Sequence, residues 1–403
     1  MNQILCSMPV KNNTSVIRYP AQIISGTRAK WIRLRLLANI LLVALFHESD
    51  PIRAIRSFKT IRDKRKKIQG LPRITRFVKR ADRYFWVENI PGWPSENLDA
   101  FIKGELIRSS SDGKRKVPLH TLIFAITSRC GLQCTHCYDW DNLQAKERLE
   151  TGDLMKILDE LKSLGMSHIQ FSGGEPLARF DDLVTLTEKA RSSMDCWILT
   201  SGFGLTREKA FRLKQAGLTG AIISLDHWDE TAHNNFRNNG KSYHWVYEAA
   251  KNCREEGIIV SLSLCATKEF VSEENLYQYL ELAKNWGAGF VRVLEPKKTG
   301  RYRGQDIMLG TEQVDLLERF YLQTNLNKAY RRYPIVMYPG YHQRSAGCFG
   351  AGNRYMYIDS KGDIHACPFC QGAAGNVLNG SLDNAVKKLR LTGCHEYSLN
   401  LSD

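Results

Sequence analysis

Three cysteines fall within eight residues, at Cys130, Cys134 and Cys137 in the run CGLQCTHC. Tetrahedral metal sites and iron–sulfur clusters usually take four protein ligands. This loop carries one fewer. His136 stands between two of the cysteines and would compete with them for the same vertex. A closed structural zinc site therefore does not suit the spacing. A four-iron cluster does, because three thiolates leave one iron uncovered, and that iron can take a substrate or cofactor as its last ligand.

A second set lies near the end of the chain: Cys348, Cys367, Cys370 and Cys394. The runs YMYID and DIHAC flank SKG, a turn signal, so a β-hairpin is expected there. It would bring Cys348 close to the Cys367–Cys370 pair. Cys394 follows an expected helix at 381–391, with His395 as its alternative. Four ligands make a closed site, which suits an iron–sulfur cluster, structural zinc or a single iron. Cys6, Cys196, Cys253 and Cys265 are scattered. Cys196 and Cys265 lie in strand-like runs and are expected as small core residues.

Eleven cysteines without a secretory signal at the start point to a reducing cytoplasm and to metal ligands rather than disulfides. The formal charge of +15 is local: residues 1–80 hold 18 basic and 3 acidic residues, and the rest holds 39 of each. The main body is neutral, so the basic pI does not describe its surface.

Within this extension, Leu36–Phe46 is an unbroken apolar run of 11 residues. As a helix it reaches roughly 16 Å, against about 30 Å of bilayer core, and cannot span it. A basic amphipathic helix is expected next, starting at Asp50–Pro51 and stopping at Gly70. One reading is a helical pair packed on the body with a solvated basic face. Two sharper ones use residues 31–67: peripheral attachment to an anionic membrane surface, or a clamp for an acidic leader peptide. Nucleic acid is not expected, because aromatic residues are not interleaved with the charges. The aromatic, turn-rich segment 83–95 is expected to cap the body.

From about residue 120, short apolar runs alternate with helical segments. The expected strands are 121–127, 168–173, 196–201, 220–225, 258–265 and 290–295. This alternation predicts α/β architecture: a partial (β/α)6 TIM-like barrel of parallel strands with right-handed crossovers. An N-terminal helical extension and a small C-terminal hairpin-and-helix unit flank it. The expected divisions are 1–117, 118–310 and 311–403. Chemistry in such barrels sits at the C-terminal ends of strands. The cysteine loop would follow the first strand, FSGGEP (171–176) the second, and SLD (224–226) the fourth.

On these motifs the chain resembles the radical S-adenosylmethionine superfamily, whose signature is CxxxCxxC with an aromatic residue, here His136, before the last cysteine. The resemblance covers roughly residues 118–395. It implies a [4Fe–4S] cluster on Cys130, Cys134 and Cys137, with S-adenosyl-L-methionine on the fourth iron. Gly173, Gly174 and Glu175 would hold the cofactor's amino group, and Ser224 and Asp226 would lie near its ribose. Arg237 would reach its carboxylate, since a guanidinium fork can bind one bidentately. The alternative for Glu175 is an ordinary turn with a carboxylate at a helix start. His233 is either structural or substrate-facing, and Ser201 replaces a more usual Asn. The later cysteines resemble the SPASM extension in its shortened twitch form, implying one auxiliary [4Fe–4S] cluster.

The reaction so implied is reductive cleavage of the cofactor to methionine and a 5′-deoxyadenosyl radical, which abstracts hydrogen from substrate. The auxiliary cluster would accept an electron or bind substrate. A peptide or protein substrate, a small molecule such as a sugar or aminocyclitol, and a non-enzymatic electron carrier are the three readings. A flavodoxin or ferredoxin would supply electrons. Glu295, Lys297, Arg301 and Tyr302 are acid–base candidates by position alone.

Overall fold

The computed structural model describes residues 21–48, 50–69, 74–109, 117–394 and 396–397, without the side chains of 64–69. The N-terminal region holds β1 (Gln22–Ile24), α1 (Gly26–His47), α2 (Pro51–Gln69), β2 (Phe77–Arg80), β3 (Arg83–Phe85) and α3 (Glu96–Ser109). Asp50 starts α2 as expected, its carboxylate accepting the Ile52 N–H at 2.9 Å. The expected stop at Gly70, and Cys6 and His395, lie outside the described residues.

An extension expected to be mainly helical also contains a three-stranded antiparallel sheet, β1–β2–β3. The strands are short, and their apolar side chains divide between two cores: Phe77, Ile24 and Tyr84 pack with α1 and α3, and Ile23, Val78 and Phe85 pack on the barrel. Val78 and Phe85 pack into the N-terminal end of the barrel against Trp197, Ile222, Ile259 and Phe290. Segment 83–95 thus caps the body. Several basic residues counted in the extension serve this plug. Arg76 donates to the carbonyls of Thr324, Tyr330 and Tyr333. Arg80 donates to those of Leu218 and Gly257, and Arg83 pairs with buried Asp195 at 2.5 Å.

The barrel follows as β4 (Thr121–Ala125), α4 (Thr151–Ser163), β5 (His168–Ser172), α5 (Phe180–Ala190), β6 (Asp195–Thr200), α6 (Arg207–Ala216), β7 (Leu218–Ser224), α7 (Glu230–Arg237), α8 (Ser242–Glu255), β8 (Ile259–Cys265), α9 (Glu273–Asn285) and β9 (Phe290–Leu294). All six expected strands are present. Beyond them come α10 (Thr311–Leu326), β10 (Ile335–Met337), α11 (Pro339–Ala346), β11 (Tyr355–Ile358), β12 (Asp363–His365), β13 (Ala373–Asn376) and α12 (Leu382–Thr392). The sheet runs β10-β9-β8-β7-β6-β5-β4-β11-β12-β13. It is parallel from β10 through β11 and antiparallel only in the last two pairings. Ten strands therefore replace the expected six. β10 and β11 pair with the two edges of the core sheet, whose open N–H and C=O groups need partners. The expected hairpin exists, and its first strand continues the barrel.

The pleat separates two populations of side chains. Leu122 and Phe124 face the helices and are fully buried. Ile123, Gln170, Ser172, Ser263, Cys265, Arg292 and Leu294 turn inward to a cavity. Cys196 is a core residue as expected. Cys265 lines the cavity instead, because its place in the strand is inward-facing.

The barrel is open on one side, where α1, α2 and α3 lie. α2 contacts α11, and α3 packs on the start of β4. Glu105 of α3 accepts from His120 at 2.8 Å, from Arg108 at 3.1 Å and from Arg354 at 2.8 Å. Burial alone would raise the Glu105 pKa. The His120 hydrogen bond and the Arg354 charge outweigh it and hold the carboxyl well below its ordinary value. A depressed carboxyl pKa stabilises the fold above its ordinary value of 4.5 and loses that contribution as pH falls. The stability advantage of wild type over Glu105→Gln, measured by denaturant unfolding, should be full at neutral pH and shrink below about pH 4.5. An advantage that stayed constant into acid would contradict it.

Candidate active site

The cysteine loop leaves β4 and is held by the tip of β5. Gly174 N–H donates to Thr127 O and Glu175 N–H to Arg129 O, each at 2.8 Å. Gly173 has φ +144, and a Cβ there would stand 2.4 Å from Thr127 O; one on Gly174 would stand 2.5 Å from Arg129 O. The absence of side chains at these two positions admits the backbone of the cysteine loop. Further bonds brace the loop from outside. Thr135 N–H donates to Phe236 O, and Arg301 N–H to Cys137 O. The Arg301 guanidinium reaches Gln133 O at 2.8 Å and stacks over Trp140.

Cys134 is buried, while Cys130 and Cys137 are partly exposed toward the cavity. Donors aim at their sulfurs: Leu132 N–H at Cys130 and an Arg237 guanidinium nitrogen at Cys134, both at 3.5 Å. Burial pushes the Cys130 thiol up to about 11 and Cys137 to about 12. Such thiols ionise readily only against a bound cation. A bare three-thiol loop with N–H groups directed at sulfur fits a cluster that carries its own positive charge.

Glu175 is bonded to the neighbouring strand tip. Its carboxylate accepts from Thr200 Oγ1 at 2.7 Å, Leu177 N at 3.2 Å, Ser201 N at 2.8 Å and Ser201 Oγ at 2.6 Å. It ties the tip of β5 to that of β6 and caps the turn that follows. It does not line the cavity, although Gly173 and Gly174 do. Ser201, where Asn is more usual, keeps a polar contact through this carboxylate.

Arg237 and Asp226 form a buried pair at 2.5 Å, and Asp226 also accepts the Cys265 N–H at 3.1 Å. Both line the cavity beside Ser224. Arg237 is thus committed to Asp226 and Cys134, not free to meet a carboxylate alone. His233 is fully buried and accepts the Asp226 N–H at 3.1 Å, which makes it structural. His136 stacks on Phe236 with ring centroids 4.7 Å apart. Burial lowers its pKa to about 4, so the ring is neutral at neutral pH.

The second set also assembles. The sulfurs of Cys367 and Cys370 lie 3.3 Å apart. Cys394 is in hydrogen-bonding reach of both Cys348 and Cys370. Gly350 N–H points at Cys348 sulfur at 3.3 Å. The Cys367 hydrogen bond lowers Cys370 to about 7, while Cys367 is driven far up.

All seven cysteines line one cavity of about 1130 Å³. Tyr138, next to Cys137, meets Phe369, between Cys367 and Cys370, edge-on at 5.8 Å. Asp139 also lines it. Burial raises its pKa to about 6, and one oxygen meets no donor among the described residues. Sequence reasoning missed both, and their nearness to the cysteine loop was the only available signal. Of the acid–base candidates, Glu295, Lys297 and Tyr302 line the cavity, while Arg301 braces the loop. Glu295 is paired with Arg344 and Lys297 with Glu396, each at 2.6 Å.

A partial α/β barrel with a three-thiol loop at one strand tip and a four-thiol set facing it defines a class of cluster-dependent enzymes. The Radical SAM superfamily model matches residues 124–283. The curated relatives include the Fe-coproporphyrin III synthase of Methanosarcina barkeri, 32% identical over 53% of this chain and 56% of that protein. The chain therefore spans little more than half the length of this relative. Another is the mycofactocin maturase MftC of Mycobacterium tuberculosis, 27% identical over 67% of this chain and 71% of that protein. Among solved structures, Streptococcus suis SuiB bound to precursor peptide SuiA shares the fold, with TM-score 0.56 at 16% identity over 85% of this chain and 80% of that one. SuiB has also been solved with S-adenosylmethionine.

The Glu175 clamp can be tested directly. Glu175→Gln sets an NH2 group against backbone or hydroxyl donors. It should cost about 1–3 kcal/mol in denaturant unfolding of the anaerobic protein, the penalty of unmatched buried polar groups. Unchanged stability would remove the clamp.

Proposed function

We propose that this chain is a radical S-adenosylmethionine enzyme that modifies a peptide or protein. Cys130, Cys134 and Cys137 would hold a [4Fe–4S] cluster that binds the cofactor. Cys348, Cys367, Cys370 and Cys394 would hold an auxiliary [4Fe–4S] cluster, with zinc as the alternative at that site. The observation that carries the reading is the common cavity lined by both cysteine sets, by the strand-tip residues Gly173, Gly174, Ser224 and Asp226, by His136 of the loop and by Arg237 at the end of α7. When bound, the reduced cluster and its cofactor supply a 5′-deoxyadenosyl radical that takes hydrogen from substrate. The chain's own residues position and enclose. Gly174 and Glu175 fix the loop, Arg237 directs a guanidinium at Cys134, and the β1–β3 plug closes the barrel's far end to water.

MftC and the SuiB complex support the peptide reading. The synthase named for Fe-coproporphyrin III favours a second one, a small tetrapyrrole-like substrate. We divide the chain functionally at 117/118 and 310/311. Electrons would come from a flavodoxin or ferredoxin in the cytoplasm.

Anaerobically reconstituted protein should bind about eight irons, and the triple variant Cys130→Ala/Cys134→Ala/Cys137→Ala about four. Retention of all eight would sink the assignment, and four irons with one zinc in wild type would favour the zinc alternative. Reductant plus S-adenosylmethionine should yield 5′-deoxyadenosine from wild type and none from the triple variant.

The helix pair supports a membrane-peripheral placement. No described helix is long and apolar enough to cross a bilayer. The outer face of α1 carries large apolar groups among its arginines: Trp31 is 65% exposed, Leu34 54% and Phe46 88%, beside exposed Arg28 and Arg35. Arg53, Arg56 and Arg62 of α2 are exposed nearby. Apolar groups rimmed by cations suit an interfacial helix on anionic lipid. The protein should co-sediment with phosphatidylserine vesicles at low salt and release at high salt. Absence of binding at low salt would leave the acidic-leader clamp.

A further inference from the structure

The cavity reaches beyond the cysteines. Its far wall comes from the N-terminal extension: Leu36 and Ile40 of α1, Ile61 of α2, Ile90, and Phe101 of α3. These side chains form an apolar stretch of the wall, beside the polar Glu105, Arg108 and Ser109 of α3. Nothing in the cysteine chemistry requires it, so it faces whatever enters beside the cofactor.

Besides the Arg237–Asp226 and Lys297–Glu396 pairs, a further polar pair stands in the same cavity. Glu88, just after the β1–β3 plug, is 2% exposed, and Arg292 points inward from the middle of β9. Arg292 Nε donates to Glu88 Oε1. Glu88 Oε2 meets no donor among the described residues. The two terminal nitrogens of Arg292 have no acceptor there either; Glu88 is the guanidinium's one partner. The mechanism above uses neither residue. A buried carboxylate oxygen without a donor is costly and calls for a partner.

The pair is neutral overall and offers a donor fork beside a bare acceptor. A free carboxylate would satisfy the fork but face the Glu88 charge. A cation would do the reverse. A neutral group carrying both an acceptor and a donor matches both halves. We infer that Arg292 and Glu88 form an amide-binding site in this chamber, taking a peptide bond or carboxamide whose flanking groups lie on the wall of Leu36, Ile40, Ile61 and Phe101. The inference rests on the reading of the cavity as a radical S-adenosylmethionine reaction chamber. It deepens that reading by naming what the substrate presents.

The test uses the full-length, reconstituted protein with S-adenosylmethionine and three probes by calorimetry. These are isocaproyl-leucinamide, its analogue with an ester in place of the internal amide, and isocaproyl-leucine methyl ester, which lacks the terminal carboxamide. The capped amide should bind, and one of the two ester probes should bind about ten-fold more weakly, identifying which amide is read. The double variant Glu88→Leu/Arg292→Leu removes both charges together, so neither is left buried alone. It should lose about ten-fold in affinity for the capped amide and lose the discrimination between probes. Ile40→Trp, which fills the wall, should weaken all three. Equal binding of all three probes to wild type, or unchanged amide affinity in the double variant, would overturn the site. So would tighter binding of mesoporphyrin, an apolar dicarboxylate, with loss of that binding in Arg292→Leu. The 5′-deoxyadenosine formed by wild type without any probe reports separately on the radical chemistry. If it persists while amide binding fails, only this site falls.

Discussion

Two main-chain hydrogen bonds carry most of the site: Gly174 N–H to Thr127 O and Glu175 N–H to Arg129 O. They hold an irregular eight-residue cysteine run against a rigid strand tip, although the run has little regular structure of its own. The contact is possible because neither glycine has a side chain to collide with the opposing carbonyls. Glu175 then spends its carboxylate on β6, so the tips of β4, β5 and β6 form one bonded unit. A ligand held by three thiols needs such a frame, because a loop free to move would not leave the same iron uncovered each time.

The electrostatics follow from burial. Desolvation raises Cys130 and Cys137, while Arg237 directs positive charge at Cys134. Arg237 is itself neutralised by Asp226, which the Cys265 N–H also steadies. The loop is therefore poised for a cationic cluster without being a strong anion site. At the other face, the C-terminal set is reached only because β11 extends the barrel sheet at β4. That pairing brings Cys348 and Cys367 toward the same cavity, and Tyr138 fills the space between the two sets.

The basic extension proves to be three things at once. Arg76, Arg80 and Arg83 anchor a plug in the barrel floor, α1 to α3 wall its open side, and the outer face of α1 carries large apolar groups among its arginines. A net charge over residues 1–80 cannot separate these uses. Arginines that cap carbonyls and arginines that face water look the same in a count.

Much was legible in the residues themselves. The spacing of Cys130, Cys134 and Cys137, the six strand–helix units, GGEP after the second strand and the hairpin around SKG are local patterns, set by turn chemistry, period and ligand stoichiometry. These are written within a few residues of each other, so the sequence determines them. What only the tertiary structure decided is which groups meet across the fold. Glu175 binds Ser201, because β5 and β6 are neighbours. Arg237 is shared between Asp226 and Cys134. Cys265 faces the cavity, and Glu88 finds Arg292 about two hundred residues away. Such pairings arise from strand order and from how the extension folds back onto the barrel. Neither leaves a periodic or spaced signal, because the partners are joined by packing and not by proximity along the chain.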